Sequence, residues 1–509
     1  MTSPSLLAID FGTSGIKCMV FTAQGEVQAR QFTIIEYYVP EGLTGIGREF
    51  DATFVWKATE KMIRACLRTA RCKPEDIVGV AATSQRHGAV FLDDQGEPLY
   101  AGPNLDARGV FTQGVVAQQL QDSCPPTGCW PPLLYSLCRL LWFKQHKPDT
   151  FAQIRHALSI SDWLVFQLTG EVTTEPSQAS STQFMDIRTS KWSPEILEMA
   201  GIPEALLPPI KAPGTLAGTI TASTGQTLGL KPGTPVGIGG ADTQCALLGS
   251  GVTTPGSVCV VAGNTSPIQL VTAEPLIDEE CKLWTGRYLL PNLWVLEANT
   301  GTTGSVLTWF ARNIIHPADL AASKTDEELY LRVEQLADDA KAGSLDAVAL
   351  LGPQVMDASD MTTVRPALFV FPQPASPVTK PIGLKDLARS LYENICYAVR
   401  VNLELLQVKA NVTFERCLIA GGQARSQFWQ QMLANVTNIE VQRAEVMEAS
   451  SLGAAICAAV AANLYPTLET AAENMVTLQP ALKPELEIHN QYETYFGRWK
   501  GLYNQSGNL

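Results

Sequence analysis

The feature that most constrains the fold is a strand-rich opening that is followed by interleaved helices and strands. Apolar runs at 6–10 and 16–21 are separated by the turn residues Phe-Gly-Thr-Ser-Gly, and a third run at 27–35 follows a Gln-Gly turn. Helical spacing over 54–71 predicts a helix, and the apolar run 78–83 predicts a further strand. Strands first and helices interleaved afterwards predict an α/β domain with a mixed sheet.

A similar plan starts again near residue 235, which predicts that the chain has two related halves. A short apolar strand runs into Gly-Gly-Ala-Asp and a helical stretch, and two later strands flank a Gly-Asn-Thr-Ser turn. We therefore predict two domains, 1–246 and 247–509, with a ligand in the cleft between them. The elements expected in the second plan are strands at 236–238, 257–262, 268–272 and 417–420 and helices at 241–249 and 427–435.

Composition narrows the functional classes. The 509 residues include 37 basic and 50 acidic side chains, which gives a formal charge of −13. A chain this acidic, with no run of Lys and Arg, is a poor match for nucleic acid or an anionic membrane surface. The uncharged stretch 449–468 is rich in Ala and Ser and contains Asn463 and Pro466, so we predict a buried helix and no membrane span. No signal peptide is expected, and 12 scattered cysteines predict reduced thiols in a cytoplasmic protein.

The first candidate for binding chemistry is the turn after the opening strand, Asp10-Phe11-Gly12-Thr13-Ser14-Gly15-Ile16-Lys17. Glycines in a tight turn let backbone N–H groups approach a phosphate, and the Thr13 and Ser14 hydroxyls add donors. Asp10, at the strand end, could hold Mg²⁺ through water. An Asp-x-Gly hairpin turn also forms without a ligand, and no Gly-Lys-Ser/Thr triplet follows to make a Walker A loop.

Two later turns offer the same backbone chemistry. Asn264 and Thr265 follow a glycine between two strands, so this turn and the first could grip a triphosphate from opposite sides. Gly421 and Gly422 follow another strand and would let a flat ligand or a phosphate lie against the backbone, next to a helix N-terminus that favours negative charge. Each turn taken alone is also compatible with a purely structural role.

Polar side chains at strand ends suggest how a second ligand is bound. Asp242 follows an apolar strand and precedes an uncharged helix, so it is either a helix N-cap or a general base. Gln85, Arg86 and His87 also follow a strand, and Asp106 lies about twenty residues later. Several donors and acceptors at adjacent strand ends suit a polyhydroxylated ligand, although a lone histidine is often structural.

In this order and spacing, the motifs make the chain resemble the FGGY carbohydrate kinases from about residue 6 to residue 503. Three positions depart from the usual family pattern: Arg139 stands in place of Lys, Asn264 in place of Gly, and Gln423 in place of a third Gly. The segments that carry the resemblance are Asp10-x-Gly-Thr, Gln85-Arg86-His87-Gly88, Asn104-x-Asp106-x-Arg108, Ser136-x-x-Arg139-Leu-x-Trp142, Ser161-Asp162-Trp163-Leu164, Leu168-Thr169-Gly170, Ser181-Thr182, Gly239-Gly-x-Asp242, Gly421-Gly-x-Ala-Arg-Ser426 and Ala449-Ser-Ser-Leu-Gly-Ala-Ala455.

The resemblance implies an actin-like ATPase fold, with two RNase H-like domains whose mixed sheets are flanked by helices and which close on MgATP and a sugar. Asp242 would be the catalytic base for in-line transfer of the γ-phosphoryl group to a hydroxyl, and Asp10 and Asp242 would hold Mg²⁺. The sugar would be bound by Gln85, Arg86, His87, Asp106 and Asp242, and the nucleotide by Gly12, Thr13, Ser14, Lys17, Asn264, Thr265, Gly421, Gly422 and Arg425.

The resemblance divides on the substrate. Segment 357–366 lacks the Gly-Glu-Arg-x-Pro pattern of xylulokinases and looks like autoinducer-2 kinases, whereas Gln85-x-His87-Gly88 looks like xylulokinase. We expect a small sugar or polyol, such as a linear ketose of the xylulose type or an autoinducer-2-type substrate. The alternatives are a sugar-binding sensor with degraded catalysis and an ATPase related to actin and Hsp70 that needs no acceptor. Neither a nucleic acid nor a membrane partner is expected, and a homodimer is left open.

Overall fold

Strands and helices alternate through both halves of the chain in a computed structural model, which describes residues 4–119, 126–131, 133–315, 325–360, 365–373 and 380–507. The residues group into two units, of which the first holds Met1–Pro255, Val271–Leu296 and Ala444–Thr477. The second holds Gly256–Leu270, Glu297–Arg443 and Leu478–Leu509. The two domains expected on either side of residue 246 stay a prediction, and the units differ from them because two later segments group with the first.

The predicted strands and helices are present, and their ends differ from the expected ones by up to three residues. The strands are β1 Ser5–Gly12, β2 Gly15–Thr22, β3 Val27–Ile34, β4 Ile77–Ser84, β5 Ala89–Leu92, β6 Pro98–Gly102, β7 His156–Ser159, β8 Met185–Asp186, β9 Lys191–Trp192, β10 Leu216–Thr219, β11 Pro235–Ala241, β12 Val258–Val261, β13 Thr265–Thr272, β14 Trp284–Arg287, β15 Trp294–Thr302, β16 Val348–Leu350, β17 Leu368–Val370, β18 Arg416–Ala420 and β19 Glu440–Arg443. The helices are α1 Ala52–Ala70, α2 Val110–Gln119, α3 Ser136–His146, α4 Pro148–Phe151, α5 Ile160–Thr169, α6 Pro176–Ser180, α7 Pro194–Ala200, α8 Ala222–Leu228, α9 Asp242–Leu248, α10 Gly304–Ile314, α11 Asp326–Asp338, α12 Leu384–Ala410, α13 Gln427–Thr437, α14 Ala449–Ala461, α15 Leu468–Met475 and α16 Leu486–Ser506.

The main sheet of the first unit is mixed, as predicted. Its strand order is β10-β11-β4-β1-β2-β3, in which β1, β4 and β11 run parallel and the outer pairs are antiparallel. Leu7 and Ile9 of β1 join a buried core with Ile63 of α1, while α14 packs against β1, β4 and β11. With helices on both faces, the parallel strands are buried and their carboxyl ends meet at one edge of the sheet.

Helix α14 is the buried helix that the sequence predicts for this stretch, and small residues let it approach its neighbours closely. A Cβ at Gly453 of α14 would lie 2.0 Å from the carbonyl oxygen of Cys245 in α9, and a Cβ at Gly79 of β4 would lie 2.7 Å from that of Ala458. Such distances leave no room for a side chain, so glycine is required at both positions. The close packing fixes α9 against the sheet.

The sheet of the second unit repeats the plan. It contains β15-β13-β12-β18-β19, in which β12, β18 and β19 are parallel and β13 is antiparallel to β12. Val261 of β12 lies opposite Ala420 of β18. The loops that follow these two strands therefore begin side by side, at the carboxyl edge of the sheet.

Two further findings concern the cysteines and the helices. Ten of the cysteines that the structure describes form no disulfide, but Cys281 is disulfide-bonded, so the prediction of reduced thiols throughout is wrong at this residue. Among the residues that the structure describes, no helix combines the length and hydropathy needed to cross a bilayer. Part of the segment at 357–366, residues 361–364, lies outside the described residues.

Candidate active site

Three parallel strands of the first unit end side by side and bring several predicted site residues together. Asp10 lies near the end of β1, Gln85 directly follows β4, and Asp242 directly follows β11. Thr83 lies opposite both Asp10 and Gly240 in the sheet register, and its hydroxyl donates to the Gly240 carbonyl at 2.7 Å. In α/β proteins, ligands bind at the carboxyl ends of parallel strands. The structure therefore supports a ligand site at this edge.

Asp10 is buried and holds two polar partners. Lys17 Nζ lies 3.3 Å from Asp10 Oδ2, and the Ser451 hydroxyl donates to the same oxygen at 3.0 Å. Lys17 is placed there because Gly12 pairs with Gly15 across a two-residue turn, which sets Asp10 opposite Lys17. The predicted hairpin is confirmed, whereas the contact with Ser451, more than 400 positions away, had no sequence signal.

Asp242 begins α9 but does not cap it. Ala241 occupies the N-cap position, and the Asp242 carboxylate accepts a hydrogen bond from the backbone N–H of Thr243 at 2.8 Å. The N-cap interpretation of Asp242 is therefore wrong. Asp242 is half-buried at the first turn of α9.

The surroundings of Asp242 raise the pKa of its carboxyl group. Burial raises the pKa of Asp242 to about 7. The Arg86 guanidinium opposes the rise, and the negative charge of Asp10 adds to it. A carboxylate with a pKa near neutrality accepts a proton more readily than an ordinary aspartate, which is what a general base requires.

Gln85 connects its strand end with the first hairpin. Its Oε1 accepts from the backbone N–H of Asn104 at 3.1 Å, and its Nε2 donates to Tyr37 Oη at 3.5 Å. Both neighbours also hold Thr13: Asn104 Nδ2 donates to the Thr13 hydroxyl at 3.0 Å and Tyr37 Oη to the Thr13 carbonyl at 2.8 Å. Gln85 has no exposed surface, so the structure gives it this supporting place instead of the predicted sugar contact. The buried Asn104 Oδ1 has no hydrogen-bond partner within the described residues.

His87 presents a neutral imidazole. Its backbone has a positive φ of 63°, and its ring meets those of Tyr135 and Trp284 edge to face at 4.8 Å and 6.1 Å. Burial lowers the pKa of His87 well below its ordinary value, and the Arg86 and Arg139 charges lower it further. A neutral imidazole can both donate and accept hydrogen bonds, which suits a hydroxylated ligand.

Arg139 explains one of the three departures from the family pattern. The guanidinium is fully buried and donates to the carbonyls of His87 at 2.6 Å, Pro103 at 2.8 Å and Asp106 at 3.1 Å. The planar fork of arginine reaches all three carbonyls in a fixed geometry, which a lysine ammonium could not reproduce. Arg139 thus joins the two loops in which the predicted sugar residues lie.

Asp106 lies beneath the loop surface, where it supports Arg108. Asp106 has no exposed surface; its carboxylate accepts from Tyr100 Oη and lies 2.7 Å from Arg108 Nε. The same guanidinium pairs with Glu49 and stacks over the Tyr100 ring at 4.6 Å. A fully buried carboxylate cannot touch a ligand in this conformation, so the structure gives Asp106 a supporting place instead of the predicted sugar contact.

Replacing Asp106 with alanine is therefore expected to act mainly on stability. The buried Arg108 guanidinium would keep only Glu49, and breaking a buried ion pair costs about 3 kcal/mol of unfolding free energy, measurable by urea denaturation. Asp186→Ala is the matched control, since the Asp186–Arg188 pair is exposed and its loss should cost well under 1 kcal/mol. If Asp106→Ala instead had normal stability and a raised KM for the sugar, Asp106 would contact the sugar directly, as the sequence predicted.

The second unit brings together its two predicted turns. Gly421 has a φ of 85°, and a Cβ there would lie 2.4 Å from the Ala262 carbonyl oxygen, so glycine is required. Asn264, Thr265 and Arg425 are exposed beside it. Asn264 is not among the described residues with positive φ, so this turn does not use the left-handed backbone that asparagine tolerates.

Gln423 ties the two turns of the second unit to each other. Its Nε2 donates to the Gly263 carbonyl at 2.6 Å and to the Thr303 hydroxyl at 2.9 Å. Thr303 in turn donates its backbone N–H to Asn264 at 2.8 Å. A glycine at position 423 could make neither side-chain bond, so Gln423 adds a connection between the loops.

We expect Gln423→Gly to loosen this pair of loops. The loss of two hydrogen bonds, at about 1 kcal/mol each, should weaken ATP and ADP binding about fivefold to thirtyfold in calorimetric titrations. Gln431→Gly is the control, because Gln431 bonds Asn435 and the Lys483 carbonyl at a distance from both turns. Unchanged affinity in Gln423→Gly would show that the connection does not serve the nucleotide.

The carboxylates of the first unit fit a magnesium ion that retains most of its water. No group of three or more His, Cys, Asp or Glu side chains placed to hold a metal occurs within the described residues. Mg²⁺ needs only one or two carboxylates when it is held through water and phosphates. Lys17 and Ser451 both contact Oδ2 of Asp10, so its Oδ1 could accept a metal-bound water, and a cation would offset the repulsion between Asp10 and Asp242.

The predicted site residues thus fall into two groups, one in each unit. Besides the contacts given above, Arg86 is partly buried next to Asp242 and His87, and Ser14 is exposed at the tip of the first hairpin. Residues that sequence reasoning had not assigned to the site support both groups: Tyr37, Ser451, Tyr135, Trp284 and Thr303. Aromatic and hydroxyl side chains are too common for these to stand out in one sequence.

Comparison with known proteins covers both halves of the chain. Residues 5–249 match the N-terminal domain, and residues 258–462 the C-terminal domain, of the family model described as the FGGY family of carbohydrate kinases. Among curated proteins, the chain is 31% identical to an autoinducer-2 kinase of Yersinia enterocolitica serotype O:8 / biotype 1B, over 98% of this chain and 94% of that protein.

Solved structures show the same fold at lower identity. A xylulose kinase from Lactobacillus acidophilus superposes with a TM-score of 0.84 at 20% identity, covering 99% of this chain and 98% of the other. A gluconate kinase from the same organism has the same TM-score and identity and covers 99% of both chains. The predicted α/β fold with mixed sheets flanked by helices is thereby confirmed.

Proposed function

Because this chain belongs to the FGGY family of carbohydrate kinases, whose members are ATP-dependent sugar phosphotransferases, we propose that it phosphorylates an autoinducer-2-type substrate or a short linear ketose such as xylulose. Asp242 is the proposed catalytic base. The cytoplasm, which supplies ATP, is its proposed place of action.

The observation that carries this proposal is the position of Asp242. Asp242 is half-buried, burial raises its pKa to about 7, and the charges of Arg86 and Asp10 act on it. A phosphoryl acceptor needs a group that takes the hydroxyl proton, and the raised pKa of Asp242 makes its carboxylate a better proton acceptor than an ordinary aspartate. An ATPase without a sugar acceptor would need no hydrogen-bonding loops for a hydroxylated ligand beside that base.

The proposed step is an in-line displacement. The substrate hydroxyl oxygen forms a bond to the γ-phosphorus, the bond from that phosphorus to the bridging oxygen breaks, and ADP leaves. Asp242 takes the hydroxyl proton as the new bond forms. Mg²⁺, held by Asp10 and Asp242 through water, would neutralise charge on the phosphates.

The remaining residues have proposed binding roles that follow their places in the structure. The sugar is bound by Arg86 and the neutral His87, whereas the fully buried Gln85 supports the loops through Asn104 and Tyr37. Thr13 and Lys17 are proposed to bind phosphate groups. Nucleotide binding is also proposed for the exposed Asn264, Thr265, Gly422 and Arg425 and for the close-packed Gly421.

Two lines support the choice of substrate. The relative that is 31% identical over nearly the whole chain is named autoinducer-2 kinase, and the superposable structures include a xylulose kinase. Arginine, imidazole and amide donors suit a small ligand rich in hydroxyl and carbonyl oxygens. Autoinducer-2 is therefore the first substrate to test, with xylulose second.

The test is ADP release from MgATP in the presence of autoinducer-2, xylulose, glycerol or gluconate, with products identified by NMR. The proposal expects acceptor-dependent turnover with autoinducer-2 or xylulose as the best acceptor. Turnover without any acceptor would favour the ATPase alternative, and sugar binding without turnover would favour the sensor. Preference for glycerol or gluconate would overturn the substrate assignment alone.

A further inference from the structure

A short helical turn of the first unit, α6, is organised around a buried acid that the mechanism above does not use. Glu175 precedes α6 as its N-cap and is 2% exposed. Its carboxylate accepts from the backbone N–H of Ser177 at 2.7 Å, from the Ser177 hydroxyl at 2.6 Å and from the backbone N–H of Gln178 at 2.6 Å. Two of these contacts are ordinary capping bonds, but the third orients a hydroxyl.

The Ser177 hydroxyl links this acid to the start of α9. Its oxygen accepts a hydrogen bond from the backbone N–H of Ala241 at 2.9 Å, and Ala241 is the N-cap residue immediately before Asp242. An ionised carboxylate can only accept hydrogen bonds, so the Ser177 proton must point at Glu175. That orientation leaves the oxygen lone pairs for the Ala241 N–H. The chain of contacts thus runs from Glu175 through Ser177 to the peptide that carries Asp242.

The same helical turn holds the neighbouring strand end. Gln178 Nε2 donates to the carbonyl and hydroxyl oxygens of Ser84 at 3.2 Å and 3.0 Å, and to the Ser161 hydroxyl at 3.0 Å. Ser84 is the last residue of β4, directly before Gln85. Space is tight here, since a Cβ at Gly240 would lie 3.3 Å from Ser177 Oγ. One turn of helix therefore contacts the carboxyl ends of both β4 and β11.

We propose that Glu175 and Ser177 are positioning residues for phosphoryl transfer, which act by fixing the backbone at Ala241 and so the direction of the Asp242 carboxylate. This inference rests on the proposed role of Asp242 as catalytic base. Small displacements of a catalytic group can cost up to about a hundredfold in rate. A buried acid at this place thus acts on the reaction without touching the substrate.

The principal test is Ser177→Ala, assayed at pH 8, which is above the value of about 7 to which burial raises the pKa of Glu175. The variant keeps both backbone caps of α6 but loses the acceptor for the Ala241 N–H. We expect kcat to fall at least tenfold, while the KM values for sugar and ATP change less than twofold. Ser193→Ala is the matched control, because Ser193 is also a buried serine that accepts a backbone N–H, at the start of α7. It should keep the wild-type kcat.

A double-mutant cycle separates positioning from general loosening of the fold. If Ser177 acts through Asp242, Ser177→Ala should have no further effect on the residual rate of Asp242→Asn. Equal proportional losses in both backgrounds, or a wild-type kcat in Ser177→Ala, would overturn the positioning while the proposed base stands. A wild-type rate in Asp242→Asn alone would overturn the base and the positioning together.

Glu175→Gln provides a second variant should Ser177→Ala not fold. It preserves the size of the side chain but replaces one acceptor oxygen with an amide, so the Ser177 proton loses its fixed direction. For Glu175→Gln we again expect a lowered kcat with nearly unchanged KM values. Glu175→Asp retains a carboxylate cap, so it should regain more than half of the rate that Glu175→Gln loses. An unchanged kcat in Glu175→Gln would overturn the role of the acid.

Discussion

Replacing Asp242 with asparagine is expected to lower kcat by about 10²–10⁴-fold with little change in ATP affinity. Asparagine keeps the size of the side chain and can still accept from the Thr243 N–H, but it cannot take the hydroxyl proton. Initial rates with saturating acceptor, together with calorimetric titration of ATP, measure the two effects separately. Asp149→Asn is the control, since Asp149 is exposed on α4.

The pH dependence gives a second readout of the same variant. A base must be ionised to act, so the wild-type kcat should rise with pH through about 7, the value to which burial raises the pKa of Asp242. Asp242→Asn should lose this rise. If Asp242→Asn kept the rise of kcat near pH 7, or a rate close to that of the wild type, Asp242 would not be the group that takes the proton.

As the pH rises through 7, the stability of the wild type should fall while its kcat rises. An unfolded aspartate ionises near pH 3.9, whereas native Asp242 retains its proton until about pH 7. Between these values the native state binds more protons than the unfolded state, so this group lowers the stability of the wild type as the pH rises. Asp242→Asn should therefore melt at a higher temperature than the wild type at pH 8 and show little difference at pH 4.

The strand ends that form the site could be predicted from sequence because their signals are local. Apolar runs that stop at Asp10, at Gln85 and before Asp242 define where each strand ends, and glycines mark the turns. Once three such strands are parallel, their ends must share an edge. The fold and most of the proposed binding residues follow from that rule together with the family resemblance.

The contacts that the sequence could not reveal depend on tertiary packing. Ser451 reaches Asp10 only because α14 packs on the sheet through small residues, and a serine in an Ala-rich helix carries no sign of that contact. Asp106 has the residue type and spacing of a ligand-binding acid, but it is fully buried and forms an ion pair with Arg108. One-dimensional patterns report neither burial nor pairing between distant charges.

The departures from the family pattern at positions 139 and 423 also act through tertiary contacts, so their effect is visible only in the structure. At position 139 the sequence shows only an arginine where lysine is usual, whereas the structure shows a guanidinium bound to three carbonyls of two loops. At position 423 a glutamine joins two turns that lie 160 positions apart in the chain. Both substitutions add hydrogen bonds, which argues against the loss of function that a sensor would tolerate.

Replacing Asp10 with alanine is expected to lower kcat/KM for ATP by about 10²–10³-fold, since metal-assisted charge stabilisation contributes several kcal/mol to such a step. Asp10 is the buried carboxylate between Lys17 and Ser451, and without it a hydrated cation would keep Asp242 alone of the two proposed carboxylates. The rate of Asp10→Ala should also require a higher Mg²⁺ concentration for half-saturation. Titrating the initial rate with Mg²⁺ at fixed ATP measures both quantities.

Ser451→Ala is the matched variant for Asp10→Ala, because it removes one hydrogen bond to Oδ2 and leaves the carboxylate in place. Its expected loss is about tenfold or less, the equivalent of one hydrogen bond to a charged group at about 1.5 kcal/mol. Lys17 is partly exposed, so the loss of its partner in Asp10→Ala should cost little stability, and a normal melting temperature would show that the rate loss is local. If Asp10→Ala kept the wild-type Mg²⁺ dependence, the metal would have to be held elsewhere.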